Sequence, residues 1–387
     1  MIVYLLAFAL TIVFIHFASV YYRRIRGERC APDAVGVRRF RMPARSAVCR
    51  TPVQRRADLI RYLIFFFLAF FPLFFVAAVR YDVGTDYFYT YTPNWWKIMA
   101  GESPYSEWGF NLLNRVLQWF TSDPQWLFVA TSALFTFAVI RTIVCCSDNA
   151  ALSAAVLLVS CVWFWSLNNV RQAIAVAIMF AAFPFMVNRQ WAQYLFCLFF
   201  AWLFHWTALL MILPFLVVQV GLFRKYFAFS IVAAVLLLPV VCKAVVWVAL
   251  QTKYAYFFES DLNNSRANPV NILYHLAAFV LTGFVLREHI GKDKSAYALL
   301  CMQFFALLLS ASSLLISVSE MIARLTMFFQ IYQLLLIPRC CIYLRTGAGK
   351  TVFGGAYLLF YGLYMVYYIV LQGYHAVLPY QSIFGVA

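Results

Sequence analysis

Stretches of about 20 apolar residues recur along nearly the whole chain, and this recurrence constrains the fold more than any other feature, because a water-soluble domain needs a polar outer shell. Of 387 residues, 65% are hydrophobic and only 11% charged. So much apolar surface has to face lipid. In hydrocarbon each backbone N–H and C=O must pair within the protein, so the stretches predict helices. They lie approximately over 1–20, 62–79, 125–140, 152–166, 172–187, 191–204, 206–220, 226–250, 270–286, 297–318, 323–338 and 352–371. The expected fold class is an all-α polytopic transmembrane helical bundle of about 12 spans. With no internal repeat, low-complexity tract or soluble insertion, residues 1–387 read as a single membrane domain.

Charge sets the orientation. The run from Met1 to Val20 has no basic residue ahead of it and is followed by Arg23, Arg24, Arg26 and Arg29. That is the reverse of a cleavable signal peptide, so the run is expected to stay as a first span with its N-terminus outside. Residues 21–61 carry twelve Arg and three acids without hydrophobic periodicity. They are expected to form a basic cytoplasmic loop near anionic headgroups, at about 1 kcal/mol per basic residue. Alternating the later loops puts 22 of the 30 Lys and Arg on the cytoplasmic side with six of the 14 acids, and eight of each sign outside. This positive-inside pattern accounts for the net charge of +16 without a nucleic-acid partner. The parity rests on Trp191–Val220, about 30 apolar residues, too long for one untilted span. Read as one span, it would move Arg224, Lys225, Arg287, Lys292, Lys294, Arg339, Arg345 and Lys350 outside. A hairpin with His205 and Thr207 at its outer tip is therefore expected. The ten Cys all fall in spans or cytoplasmic loops and none has a zinc-ligand spacing with His, so they read as small core residues.

The first outer loop, 80–124, is far longer than an ordinary connection and is expected to be ordered and functional. Phe110, Leu113, Leu117 and Phe120 recur at helical spacing with Asn111, Asn114, Arg115 and Gln118 opposite them, which predicts an interfacial amphipathic helix. Trp95, Trp96, Trp108, Trp119 and Trp126 supply an aromatic belt. Asp123-Pro124 marks the start of the next span.

Outer polar residues fall into compact sets: Arg80, Asp82, Gly84, Thr85, Asp86 and Tyr87; Glu107 with Gly109 and Phe110; Asn168, Asn169, Arg171 and Gln172; His205 and Thr207; Glu320 and Arg324. Lys243, on a span containing Pro239, joins them by depth. All five sets lie at span ends, where convergence on one cavity is possible. Each also has a plainer explanation. Arginines near span ends snorkel to headgroups, His205 can plug a hairpin, Asp82 and Asp86 can shape a turn around Gly84, and Glu107 can favour a helix start. Asp82 and Asp86 do not form an Asp-x-Asp pair, so neither a metal site nor another cofactor is expected. Asn263-Asn-Ser265 matches a glycosylation acceptor by chance.

Arg80-Tyr-Asp-Val-Gly-Thr-Asp-Tyr87, then Glu107-Trp-Gly-Phe110, then Val170-Arg-Gln-Ala-Ile-Ala175, then Ala201-Trp-Leu-Phe-His-Trp-Thr207 resemble, in order and spacing from about Tyr62 to Pro214, the EpsG family of Wzy-like polymerases of exopolysaccharide, capsule and O-antigen. The C-terminal half resembles that family in hydropathy and in one late outer arginine. The resemblance implies a GT-C-like bundle in a bacterial inner membrane, an active site facing the periplasm, and a glycosyltransferase reaction. Its substrates would be oligosaccharides on undecaprenyl diphosphate, with a chain-length regulator as a possible partner. Such a transfer develops negative charge on the leaving diphosphate, for which arginine is suited by its planar fork and permanent charge. Arg171, Arg324 and Arg80 are the candidates, with Gln172 and Tyr87 as further substrate-binding residues. His205, Asp86 and Glu107 are the candidates to receive or orient the acceptor hydroxyl, and the sequence does not choose among them. The alternatives are a lipid-linked oligosaccharide flippase and an O-antigen ligase or other polyprenyl-dependent glycosyltransferase. Polar sets gathered at one face, with little charge at the midplane, favour interfacial chemistry over transport.

Overall fold

The computed structural model describes residues 1–27, 51–221, 226–251, 255, 268–316 and 319–385. Asn263–Ser265, Cys30, Cys49 and residues 28–50 of the basic segment lie outside the described residues. The helices are α1 (Ile2–Ile25), α2 (Pro52–Ala78), α3 (Thr92–Met99), α4 (Trp108–Gln118), α5 (Gln125–Cys146), α6 (Ala150–Val159), α7 (Val162–Asn168), α8 (Val170–Ala181) and α9 (Phe183–Val187). They continue as α10 (Trp191–Phe204), α11 (Ile212–Val220), α12 (Phe227–Leu250), α13 (Pro269–Leu286), α14 (Lys294–Ser312), α15 (Ser319–Gln330), α16 (Gln333–Tyr343) and α17 (Gly347–Met365). The only extended pairing among the described residues is a single bridge, Arg80 to Ser382.

Each of the twelve apolar stretches contains helix, but six among the described residues are long and apolar enough to cross a membrane, or eight if two bent pairs each count as one span. The difference from twelve comes from backbone breaks that a hydropathy profile does not register. The α6–α7 pair bends by 55° and the α15–α16 pair by 48°. At the first break Cys161 is left-handed, with φ of 62°. The two breaks satisfy one another: Gln330, at the end of α15, donates to the Ser160 carbonyl at 2.7 Å. Irregular backbone at such depth persists only where its freed groups find partners inside the protein.

Both described ends of the segment 21–61, expected to be a basic loop, are helical. α1 continues to Ile25, and α2 begins at Pro52, because Thr51 and Gln54 close a reciprocal capping box ahead of a proline at the first helical position. Arg55, Arg56 and Arg61 therefore lie on a helix.

The predicted hairpin is present. Tyr194 donates to Met211 O at 2.9 Å and stacks on Phe215 at 4.3 Å, so α10 and α11 run antiparallel with His205 at the turn. Arg189 donates to Gln219 O at 3.1 Å, which a single straight span over 191–220 would forbid. α10 is 14 residues long, so it rises about 21 Å, less than the hydrocarbon thickness of about 30 Å.

Two polar ends result. At one end Arg339 Nε lies 3.1 Å from Asp148 and its Nη1 3.6 Å from Asp293. Tyr343 also donates to Asp293, and Arg23 donates to the Asp148 and Ser147 carbonyls. These residues come from α1, the α5–α6 connection, the segment before α14, and α16, all assigned by charge counting to one side. Glu107, Asn168, Arg171, His205, Arg324 and His375 gather at the other end.

Candidate active site

The segment between α2 and α5 is ordered, as its length and composition suggest. Residues Tyr87–Tyr91 form a wide helical turn leading into α3, and α4 follows. α4 departs from its predicted facing: Phe110, Asn111 and Asn114 are buried, while Trp108, Leu112 and Arg115 are exposed. Asn111 donates to Tyr105 O at 2.6 Å, which draws its carboxamide inward. Of the five belt tryptophans, Trp95 is instead buried and donates to Ser122 O at 2.9 Å; the other four are exposed.

Glu107 stands at the N-terminus of α4 but caps nothing with its side chain. The carboxylate, 5% exposed, accepts from Arg171 Nη1 at 2.6 Å through Oε2, and Oε1 lies 3.5 Å from His205 Nδ1. Ser106 Oγ also donates to Oε2, at 3.2 Å. Arg171 lies across the Tyr105 ring at 4.8 Å. Three of the sequence candidates, from α4, the start of α8 and the α10–α11 turn, therefore meet. The meeting depends on Gly109, whose absent β-carbon would lie 2.8 Å from both Cβ and O of Leu203. Only a glycine lets α4 approach the last turn of α10 this closely.

Burial first, then the charges of Arg171 and Arg324, lower the His205 pKa from 6.5 to about 3. The ring is neutral at physiological pH.

Arg324 is exposed, and its carbonyl accepts from Gln172 Nε2 at 2.7 Å, so Gln172 ties α15 to α8. The Arg324 charge also bears on His375, whose pKa burial and that cation lower to about 3. His375 was not anticipated from sequence. It lies in the segment after the last apolar stretch, which folds back over the loop following α2. Gly84 N donates to Ala376 O and Thr85 N to His375 O, each at 3.2 Å, and Tyr4 Oη donates to Val377 O at 2.8 Å. The twelve spans expected from the sequence, with the N-terminus expected outside, would return the tail to the side of the first outer loop, and that parity was the available signal.

The remaining candidates form a separate hub. Arg80, 1% exposed, donates to Ala77 O at 2.5 Å, Ser132 Oγ at 3.1 Å and Leu167 O at 3.2 Å, and covers the Phe128 ring at 4.7 Å. It is not brought to Arg171. Tyr87 is buried, donates to Gln125 Oε1 at 2.7 Å and stacks on Phe128 at 4.2 Å. Asp86 accepts from Thr90 Oγ1 at 3.2 Å, and its backbone N–H donates to Asn168 Oδ1 at 2.8 Å. Gly84 has φ of 97°, and a β-carbon there would lie 3.0 Å from Leu167 O, so the loop needs glycine at its closest approach. Lys243 is exposed on α12.

Beside Arg324 a cavity of about 680 Å³, mouth included, runs from Tyr374 and His375 to Cys161 and Gln330 at the helix breaks. Broken helices and a cavity at depth were not foreseen, and they remove one of the contrasts drawn with transporters.

The family model described as the EpsG family matches residues 63–382, so the likeness extends through the C-terminal half, beyond the motifs that first suggested it. No curated protein and no solved structure matches the chain.

Proposed function

This chain belongs to the EpsG family, a family of Wzy-like polymerases, and on that premise we propose that it lengthens a polysaccharide at the outer face of a bacterial inner membrane. The growing glycan is carried on undecaprenyl diphosphate and is transferred to a hydroxyl of an incoming lipid-linked repeat unit. The observation that carries this reading is the Arg171–Glu107–His205 cluster with Arg324 beside it. It pairs fixed cations with a neutral base at a membrane-protein end where lipid headgroups would lie.

In the reaction, the acceptor oxygen bonds to the sugar C1 as the bond from C1 to the diphosphate oxygen breaks. The electron pair leaves with the diphosphate, whose growing charge Arg171 and Arg324 stabilise. The acceptor proton passes to His205 Nε2. Glu107 is a positioning residue: it holds Arg171 in one rotamer and lies beside the imidazolium as it forms. A diphosphate on Arg171 and Arg324 would cancel the cations that depress the His205 pKa, so the ring becomes a stronger base when the donor is bound. The arrangement resembles general-base chemistry gated by substrate charge.

The short helices also fit this reading. A hairpin of about 21 Å thins the membrane locally around the site and brings headgroups toward His205. We read the polypeptide as crossing twelve times, with α4 in the interface.

The two helix breaks and their cavity favour a second reading, movement of the lipid-linked oligosaccharide across the bilayer. Deleting the gene separates the two. Polymerase loss leaves single lipid-linked repeat units on the outer leaflet, whereas flippase loss leaves them on the inner leaflet. Proteoliposomes holding the purified protein and that repeat unit should form a glycan ladder, and a ladder that never forms would refute the polymerase.

A further inference from the structure

The cavity beside Arg324 contains polar atoms that the protein itself does not satisfy. Trp165, 1% exposed, has no partner for Nε1, and His275, 3% exposed, has none for Nδ1. His375 likewise has none for Nε2. All three side chains line the same cavity. Buried polar groups are nearly always paired, so three of them around one space point to a ligand with several hydroxyls.

The rest of the lining narrows its class. Tyr364 donates to Asn271 Oδ1 and Asn268 donates to the Tyr368 hydroxyl, each at 2.8 Å, which fixes amides and phenols along one wall. Amides, phenols, an indole and two imidazoles give and accept hydrogen bonds and offer flat faces for a ring to lie on. A lipid tail would gain nothing from them. Arg324 is the cation among the described lining residues and stands at the edge shared with His205. Trp165, on α7, supplies the indole to this lining.

We propose that this cavity is a saccharide subsite that takes the sugar ring adjoining the diphosphate, with its hydroxyls completing Trp165 Nε1, His275 Nδ1 and His375 Nε2 and its diphosphate held at Arg324. The inference rests on the polymerase reading for the identity of the lipid-linked glycan. It assigns sugar selectivity to α7, α13 and the C-terminal segment, away from the Arg171–Glu107–His205 cluster. Asn168, which bonds His375 Nδ1 at 3.1 Å, joins the two regions and positions that ring.

The test uses the full chain in lipid nanodiscs and saturation-transfer NMR with methyl glycosides of glucose, galactose, N-acetylglucosamine and N-acetylgalactosamine. At least one glycoside should bind the wild type. Trp165→Phe and His275→Leu should each weaken it by about fivefold or more, the worth of one hydrogen bond, while inorganic pyrophosphate binds as before. No binding by any glycoside, or equal binding by both variants, overturns the subsite. Should either variant fail to fold, a diazirine-bearing glycoside photolysed with the wild type gives the same decision. Label in α7, α13 or residues 373–377 supports the assignment, and label elsewhere overturns it. Failure of the polymerase reading appears separately, as absence of chain growth by the wild type on lipid-linked repeat unit.

Discussion

Gly109 packs directly on the backbone of Leu203, so close that a β-carbon at 109 would sit 2.8 Å from the Leu203 carbonyl oxygen. This contact joins the N-terminus of α4 to the end of α10, and through it Glu107 reaches His205. Backbone atoms cannot yield as a flexible side-chain tip can. Gly109→Ala is therefore expected to push the two helices apart, costing about 1–3 kcal/mol of stability by overpacking. Polymer made per folded protein should fall at least tenfold. Chain-length analysis at matched membrane protein levels measures this, and normal polymer would show that the close approach does not position the site.

Arg171 and Arg324 are expected to be the most sensitive side chains. Removing one preorganised electrostatic contact typically costs about 3 kcal/mol of transition-state stabilisation, on the order of a hundredfold in rate. Arg171→Ala and Arg324→Ala should each abolish long chains in cells. Arg171→Lys should rescue poorly, because an ammonium does not reproduce the planar fork. If both alanine variants polymerise normally, these arginines have no part in the reaction.

Glu107→Gln separates charge from shape. The amide still accepts from Arg171 but leaves that cation unneutralised beside His205, which lowers the base strength further. Activity should drop and the rise of rate with pH should move to lower pH, while Arg171→Gln combined with Glu107→Gln should cost less than the two single effects added. A strictly additive double-mutant cycle would deny their coupling.

Protonation sets a limit on acid stability. His205 and His375 are each lowered from 6.5 to about 3, mainly by burial. The unfolded chain takes up protons at these rings as pH falls through about 6.5, whereas the folded chain does so only near 3. Their contribution is thus fully present above 6.5 and is lost progressively between 6.5 and 3. Thermal melting of purified protein should fall over that window, and less steeply for His375→Gln. An identical slope in the variant would place that ring in solvent contact.

Gln330 should matter to folding more than to chemistry. Gln330→Leu leaves the Ser160 carbonyl unpaired at the α6–α7 break, a loss of about 1–3 kcal/mol. Melting temperature of the purified protein should drop, and an unchanged value would show that this bond does not hold the break.

The amino-acid sequence by itself determined what is local. Runs of apolar residues demand helices in lipid whatever their neighbours do, and the positions of Arg and Lys divide the loops into two sets. The hairpin at His205 follows from that division, and the Arg189–Gln219 bond bears it out. The Thr51–Gln54 capping box was equally readable, yet the Arg-rich composition around it obscured the helix. The resemblance of four short motifs located Glu107, Arg171 and His205 without giving their distances.

Only the tertiary structure decided which polar residues work together. Arg80, Tyr87 and Asp86 stand in the same motifs as the others but spend their bonds on Ser132, Gln125, Leu167 and Thr90. Helix breaks at Cys161 and after Gln330 are invisible to hydropathy, because the residues there remain apolar or neutral while the backbone turns. The place of His375 was set by a tail folding back across the whole chain to Tyr4 and Gly84. Such contacts join residues hundreds of positions apart, and their free energy arises only once the bundle has closed around them.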